Sequence, residues 1–350
     1  MGSGEHLLYL LESAVVCAAL LILALYGSKI AGSGDNCYFA LDNTLPIRGL
    51  LAICIVLHHG SGYFTRISFI SPLQHIGYLV VALFFFLSGY GLLYGLKNKK
   101  GYMDGFLKKR LISVLIPYWI GNMVYYAGVY LMGEQIEAKS FILSMLLLKV
   151  INGPMWYVQL QVLFYLLFYV SFAKKDNWPL FYTLFFVLYV GAFAAGVDEV
   201  YTRSALAFPL GLIWCNYQDK IDRTMDAHYW TGLIGAAGIT VLFFCLKFTG
   251  VLIGSDLVKQ LGSNISAVAF CVSALWITKK IRISNQGLRF LGSISYEIYL
   301  IHMLALNCAW KIPRSREHPL IFFVFSIVVI IVLAVVLNRA DHFVIKKING

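Results

Sequence analysis

Two basic side chains on one apolar segment have the spacing of a functional pair. Arg48 and His59 are eleven residues apart, and at about 100° per residue this makes three helical turns plus roughly 20°. The two side chains therefore share one helical face and lie about 16 Å apart along the axis. His58 points about 80° away from the face of Arg48, so we interpret His59 as the partner.

An ionisable side chain at membrane depth is costly and is therefore a candidate for function. The imidazole of His59 could take a proton from a hydroxyl group near neutral pH. It could instead act as a nucleophile that forms a covalent intermediate, and the sequence does not separate these two catalytic roles. The alternatives are a hydrogen bond between helices for His59 and a snorkelling anchor for Arg48.

A second polar stripe occurs late in the chain. Ser295, Tyr299 and His302 are spaced by four and three residues, so they share one helical face. We predict that His302 is a second catalytic residue, which orients His59 or helps to bind an acceptor, and that Ser295 and Tyr299 contact substrate. The alternative for His302 is a hydrogen bond between helices.

Lys109 and Arg110 stand at the start of another apolar segment. We predict that they hold phosphate groups, for which Arg in particular has bidentate geometry; the alternative is a topology signal alone.

Trp156 and Tyr157 open a polar and aromatic segment. They are candidates for a sugar-stacking platform, with an aromatic belt at the membrane surface as the alternative.

Ser88 and Gly89 resemble a serine nucleophile only superficially, because no G-x-S-x-G elbow surrounds them; we interpret them as a close helix contact. The seven cysteines form no CxxC pair and lie mostly in apolar runs, so we interpret them as small buried hydrophobes. No His, Cys or carboxylate spacing repeats, and we predict no metal site.

The composition is that of a membrane protein. The chain has 350 residues, 60% hydrophobic and only 13% charged, with a mean hydropathy of +0.76, whereas soluble domains carry roughly 25% charged residues. The net charge of +11 comes from short basic clusters between apolar segments, which indicates topology rather than a nucleic-acid partner. Segments of about 20 apolar residues must cross lipid as helices.

We therefore predict an all-α polytopic membrane protein of about 10 to 11 transmembrane helices in a single domain. A twelfth segment, Phe141–Asn152, is too short to cross alone and is predicted to be re-entrant or interfacial. No internal repeat is visible. The predicted spans are residues 7–30, 47–62, 73–97, 110–132, 155–173, 178–196, 203–218, 229–247, 264–279, 290–310 and 320–339.

The positive-inside rule gives an orientation. If the loop of residues 97–110 is cytoplasmic, the cytoplasmic segments hold 19 basic residues and the opposite side seven. This predicts a cytoplasmic C-terminus and an N-terminus outside. The outer loop Lys311–Glu317 is basic against the trend, which we interpret as a solvated loop, with an anionic ligand as the alternative. The outer basic residues are Arg66, Lys139, Arg203, Lys259, Lys311, Arg314 and Arg316.

Several of these motifs occur in the order found in acyltransferase family 3, whose members are membrane enzymes that O-acylate carbohydrates. The chain resembles that family over residues 48–302, nearly its whole length. The motifs are Arg48-x10-His59, the segment LFFFLSGY of residues 83–90, Arg110 before Pro117-Tyr118-Trp119, Trp156-Tyr157, and ISYEIYLIH of residues 294–302.

The resemblance implies an O-acyltransferase in the cell membrane whose family core is residues 47–339, preceded by an additional helix at 7–30. It implies a cytoplasmic acyl-CoA donor, usually acetyl-CoA, and a glycan hydroxyl as acceptor on the far side of the membrane. The donor would be held by Arg48, Lys109 and Arg110. Membrane lipids and the glycan are then the partners, with no nucleic acid.

The main alternative is a transporter or a flippase for a glycan or lipid-linked substrate, which would also need many spans and buried polar residues. The absence of a repeat and of paired broken helices in the sequence argues against it. A membrane sensor or scaffold is a third possibility, which the lack of a soluble output domain disfavours.

Overall fold

A computed structural model describes residues 3–32, 37–65, 68–247 and 256–349 of the chain. Arg66, counted above among the outer basic residues, lies outside these ranges. The longest helices of the described residues are α1 (Ser3–Leu25), α2 (Leu41–Ser61), α3 (Gly77–Asn98), α4 (Phe106–Leu131), α6 (Trp156–Phe172), α10 (Tyr229–Leu246), α11 (Asp256–Lys280) and α15 (Pro319–Asn349). Shorter helices are α5 (Ala138–Met145), α7 (Trp178–Ala194), α8 (Ala207–Asn216), α9 (Gln218–Ala227), α12 (Gln286–Ser293), α13 (Ser295–Lys311) and α14 (Pro313–Glu317).

Among the described residues, eight helical segments are long and apolar enough to cross a membrane. These coincide with eight of the eleven predicted spans. The remaining three predicted spans fall on the shorter α7, on α8, and on α12 with α13. The chain is thus an all-α polytopic membrane protein, as the sequence predicts. The ten residues of α8 make only about 15 Å of helix, half of the hydrocarbon thickness.

Two predicted boundaries were wrong in ways that matter for the site. Helix α2 begins at Leu41 rather than residue 47, so Arg48 lies roughly 10 Å inside the helix instead of at its end. The predicted single span of residues 290–310 is two helices that meet at Ile294. The segment Phe141–Asn152 contains the end of a short helix. This helix, α5, ends at Met145, and a turn follows it.

The loops that alternation assigns to one side of the membrane do meet at one end of the bundle. A two-residue antiparallel pairing joins β1 (Lys29–Ile30) to β2 (Ile281–Arg282), and Lys97 donates to Asn216 at 2.8 Å. Lys279, 5% exposed, pairs with Asp222 and Asp226 at 3.5 and 2.8 Å. At the opposite end of the bundle, Lys311 pairs with Glu134 at 3.1 Å. Which end faces the cytoplasm stays a prediction.

Glycines set how closely the central helices approach. A Cβ at Gly49 of α2 would overlap the backbone of Leu288, and a Cβ at Gly292 of α12 would overlap that of Leu45. Small residues of this kind allow helix backbones to touch in lipid, where no hydrophobic effect drives association. The same contact recurs between Gly89 of α3 and α8, which agrees with the close helix contact predicted there. The neighbour of Gly49 is Arg48, so this contact also fixes the placement of the guanidinium.

We predict that Gly49→Ala lowers the free energy of unfolding by at least about 1–3 kcal/mol, because an added methyl group must displace helix backbone. Thermal unfolding of the purified protein in detergent measures this, together with the monodisperse yield. Gly235→Ala in α10 is the matched control, since a Cβ there meets nothing within 4 Å. Equal unfolding temperatures for the two variants would contradict the packing described here.

Candidate active site

A cavity of about 390 Å³ opens between α2, α3, α4, α6 and α13. Five of the nine predicted site residues line it: Arg48, Arg110, Tyr157, Ser295 and Tyr299. The rest of the lining is Phe84, Leu87, Ser88, Gly91, Leu92, Val114, Gln161, Tyr165 and Tyr296. No Asp or Glu belongs to this lining, so the two guanidinium groups face the cavity without a neutralising carboxylate on its wall.

Arg110 connects this cavity to a second one. It donates to the Tyr102 hydroxyl at 2.5 Å and lies over the rings of Tyr102 and Phe106 at 5.7 and 5.8 Å, which holds its guanidinium in one place. The second cavity, about 400 Å³, is lined by the sequence-predicted Lys109 and Arg110 together with Lys99, Lys100, Gly101, Tyr102, Phe106 and Ser113. We call it the basic groove. Its three lysines, Lys99, Lys100 and Lys109, lie next to the first cavity, because Arg110 lines both cavities.

Two tyrosines form the inner end of the first cavity. The ring of Tyr157 is stacked on Phe85 at 4.9 Å and lies 5.1 Å from the ring of Tyr299. The hydroxyl of Tyr299 donates to the carbonyl oxygen of Pro154, just before α6, which ties α13 to the start of that helix. Tyr157 thus lies in the cavity that holds Arg48. The structure does not bring it into a platform with Trp156, which is not part of the cavity lining.

Two histidines lie directly behind this aromatic pair. The ring of His302 is 5.7 Å from that of Tyr299 and 5.0 Å from that of His59. The stripe predicted on α13 therefore connects the cavity, through Tyr299, to the imidazole pair. Neither imidazole belongs to the described lining of the cavity, so the two tyrosines separate the cavity from the pair.

The hydrogen bonds of His302 fix its tautomer. Its Nδ1 lies 2.7 Å from the carbonyl oxygen of Tyr299, and a carbonyl oxygen can only accept, so Nδ1 carries the hydrogen. The Nε2 atom is then an acceptor. It is fully buried and has no hydrogen-bond partner among the described residues. An unpartnered buried nitrogen is costly unless another group uses it during function.

His59 is more accessible than His302 and is only partly buried. Within the described ranges no hydrogen bond ties down its ring. His58 behaves differently: its Nδ1 donates to the carbonyl oxygen of Leu73 at 3.1 Å, and its ring packs against Gly77. Of these two imidazoles, His59 is the one whose ring lies 5.0 Å from that of His302.

Other residues singled out in the sequence have structural partners. Ser88 accepts a hydrogen bond from Gln161 at 2.7 Å on the cavity wall, and Ser295 donates to the carbonyl oxygen of Gly292 at 2.9 Å. Glu297, the carboxylate within the ISYEIYLIH segment, accepts from Asn338 of α15 at 2.8 Å. Of the described residues, no group of three His, Cys, Asp or Glu side chains is placed to hold a metal ion.

Arg203 is a residue near the site that the sequence argument missed. Its guanidinium lies 5.8 Å from the ring centre of Tyr78, and the residue before Tyr78, Gly77, contacts the ring of His58. In the sequence it counted only as an outer basic residue. No local spacing links it to His59, because the contact depends on how α8 and the turn before it pack on α3.

The comparison with known families agrees with this arrangement. The family model described as an acyltransferase domain, that of acyltransferase family 3, matches residues 47–339. No curated protein matches the chain, and no solved structure matches it. The matched region covers most of the 350 residues and includes the cavity, the basic groove and both histidines. The chain is therefore a membrane acyltransferase and belongs to acyltransferase family 3.

Proposed function

We propose that the protein transfers an acyl group, in the simplest case acetyl, from cytoplasmic acyl-CoA to a hydroxyl of a surface or exported glycan. One observation carries the proposal: a cavity that holds two guanidinium groups and no carboxylate leads to a tyrosine in contact with the imidazole of His302, which pairs with that of His59. An anionic donor with a long neutral arm fits such a cavity. The enzyme works in the cell membrane, with the basic groove on the cytoplasmic side.

The donor is held by its phosphates. Arg48 and Arg110 offer planar forks for bidentate hydrogen bonds to phosphate oxygens, and Lys109 adds a point charge at the groove. Coenzyme A carries its phosphates at one end and the thioester at the other. The phosphates therefore occupy the end with Arg110, and the pantetheine arm extends past Arg48 toward Tyr157 and Tyr299. These two tyrosines must move apart for the thioester to reach the imidazoles.

The reaction at His59 has two balanced forms. In the first, His59 takes the proton of the glycan hydroxyl, the oxygen attacks the thioester carbonyl, and the carbon–sulfur bond breaks as the thiolate leaves and is protonated. In the second, the imidazole nitrogen attacks the thioester carbonyl, and the carbon–sulfur bond breaks as the thiolate leaves and is protonated. The glycan hydroxyl then attacks the acyl carbon, gives up its proton to the released imidazole and displaces it. In both forms the acceptor nitrogen of His302 is available to the N–H that His59 already carries on its second ring nitrogen.

Two measurements test the proposal as a whole. Mass spectrometry of surface glycans from cells with and without the gene reports the acyl group and the acceptor together. The purified protein in detergent, incubated with acetyl-CoA, should release CoA. A glycan profile unchanged by loss of the gene, together with no release of CoA, would overturn the proposal. Covalent labelling by radioactive acetyl-CoA in the absence of acceptor favours the acyl-imidazole form over the general-base form.

We predict that His59→Ala lowers transfer by about 10²–10⁴-fold, the range expected when a general acid–base residue is lost. His302→Ala should also lower transfer, because the partner of His59 is removed. The measurement is acetyl transfer to surface glycan, normalised to the amount of protein in the membrane.

His228→Ala is the matched control, since His228 is an exposed histidine between α9 and α10. It should transfer acetyl as the native protein does. Retained glycan acylation by a well-expressed His59→Ala variant would rule out the role given to this imidazole.

We predict that Arg48→Ala and Arg110→Ala each weaken binding of CoA by about 10- to 100-fold, because each removes charge-assisted hydrogen bonds to phosphate. Lys109→Ala should have a smaller effect, since Lys109 lines the basic groove but not the first cavity. Isothermal titration of CoA into the purified protein measures these affinities. Arg289→Ala is the control at the same end, where Arg289 pairs with Asp42 at 2.8 Å. Unchanged affinity in Arg48→Ala and Arg110→Ala would contradict the donor site.

A further inference from the structure

A second group of cations lies on the side of the imidazole pair that faces away from the first cavity. We call that first cavity the donor cavity. Arg203 and Lys247 both lie against the ring of Tyr78, at 5.8 and 5.0 Å from its centre. Tyr78 is buried and its hydroxyl donates to Ser266 at 3.1 Å, so the ring is a fixed support. We call Arg203 and Lys247 the outer cation pair.

Helix positions place this pair on the far side of the imidazoles. Tyr78 precedes the cavity residue Ser88 by ten residues of α3, about 15 Å of helix. On α2, Arg48 lies about 16 Å along the axis from His59. Arg203, in contrast, lies against Tyr78, and the neighbouring Gly77 contacts the ring of His58, which is 4.5 Å from the ring of His59. The order along the bundle is therefore donor cavity, aromatic pair, imidazole pair and outer cation pair.

The outer cation pair is poorly neutralised. The carboxylate that pairs with Arg203 is Glu199, at 3.3 Å and with 43% of its side chain exposed. Within the described part of the chain, the Nε–H of Arg203 is buried and meets no acceptor. Burial lowers the pKa of Lys247, and the positive charge of Arg203 lowers it further, while Glu199 acts in the opposite direction. Two cations beside one exposed carboxylate leave an excess of positive charge.

Lys311 and Arg316, two other basic residues at this end, have partners within the protein. Lys311 pairs with Glu134 at 3.1 Å, and Arg316 donates to the carbonyl oxygen of Trp310 at 2.7 Å while its guanidinium lies over the Trp310 ring. Their loop was the basic outer loop for which the sequence left an anionic ligand open. The contacts of the described residues point instead to Arg203 and Lys247, which both lie against Tyr78, the residue next to the glycine that contacts His58.

We propose that Arg203 and Lys247 bind an anionic group of the acceptor, so that the acceptor is a glycan carrying a phosphate or a carboxylate near the hydroxyl that is acylated. This inference rests on the proposed function. A guanidinium with unused N–H donors suits either anion, because both offer paired oxygens for a fork-shaped donor. The anion also neutralises two cations that otherwise stay close together in partly buried surroundings.

The position of the pair favours a glycan over a lipid headgroup as the source of that anion. Arg203 has only 19% of its side chain exposed and packs against the buried ring of Tyr78, next to the glycine that contacts His58. A headgroup at the lipid-facing surface would not be held beside the imidazoles. An acceptor whose hydroxyl must reach His59 would bring its own anionic substituent to this place.

The test compares two soluble acceptors that differ in one anionic group, methyl glucuronoside and methyl glucoside, with acetyl-CoA as donor. The purified protein is used in phosphatidylcholine nanodiscs and in nanodiscs that also contain phosphatidylglycerol. We expect faster transfer to the glucuronoside in both lipid compositions. Arg203→Gln and Lys247→Gln should raise KM for the glucuronoside by about 10- to 100-fold and leave binding of CoA unchanged. Arg203→Lys should restore part of the loss.

Lys311→Gln is the matched control, because it removes an outer cation that is paired away from the imidazoles. It should leave KM for both acceptors unchanged. Equal transfer to the two acceptors, with no effect of Arg203→Gln, would overturn the inference while the enzyme remained an acyltransferase. An Arg203→Gln effect that appears only in phosphatidylglycerol nanodiscs would assign the pair to lipid and would also overturn it. Absence of all transfer and of CoA release by the native protein would instead count against the proposed function.

Discussion

The contact between α2 and α12 at Gly49 and Gly292 is the constraint on which the site depends. Two helix backbones touch there, and side chains at these positions would force them apart. Arg48 directly precedes the contact on α2, and Ser295 follows it closely on α13. The same contact therefore sets the guanidinium against the polar stripe of α13. It also fixes α2 over its length, so that His59, three turns further on, meets His302.

The second organising feature is a line of polar and aromatic groups through an otherwise apolar bundle. It begins at Arg110, passes Arg48 and the tyrosine pair, and reaches the imidazoles and then Arg203. Polar groups at such depth are costly in lipid. Most polar residues of the bundle reduce that cost through hydrogen bonds, as Glu297 does with Asn338. The exceptions among the described residues include the Nε2 of His302 and the Nε of Arg203, which both lie on this line.

Sequence reasoning found the parts of the site that depend on local periodicity. The spacing of Ser295, Tyr299 and His302 correctly predicted one face of one helix, because a helix has a fixed number of residues per turn. The positions of the spans followed from hydropathy, since lipid leaves few alternatives for the backbone. The pairing of His59 with His302 was anticipated only as one option, because the two residues belong to different helices.

What the sequence could not give was contact between distant segments. The break at Ile294 has no proline or glycine at that residue to announce it, and it follows from the packing of α12 against α2. Arg203 looked like an ordinary loop cation because its relation to His59 depends on the fold of α8 against α3. The lining shared by Arg48 and Tyr157 was likewise invisible, since the aromatic motif predicted a sugar-stacking platform, with an aromatic belt as the alternative, and neither places Tyr157 beside Arg48.

The two tyrosines at the end of the cavity, Tyr157 and Tyr299, have a consequence for the membrane itself. An enzyme that joins a cytoplasmic donor to an external acceptor needs a polar route through the bilayer, and such a route would let protons and small ions pass. Tyr157 and Tyr299 close that route with two rings, one stacked on Phe85 and the other hydrogen-bonded to Pro154. In this conformation the two rings stand between the cavity and the imidazole pair, so the proposed route stays closed to protons and small ions until the rings move apart.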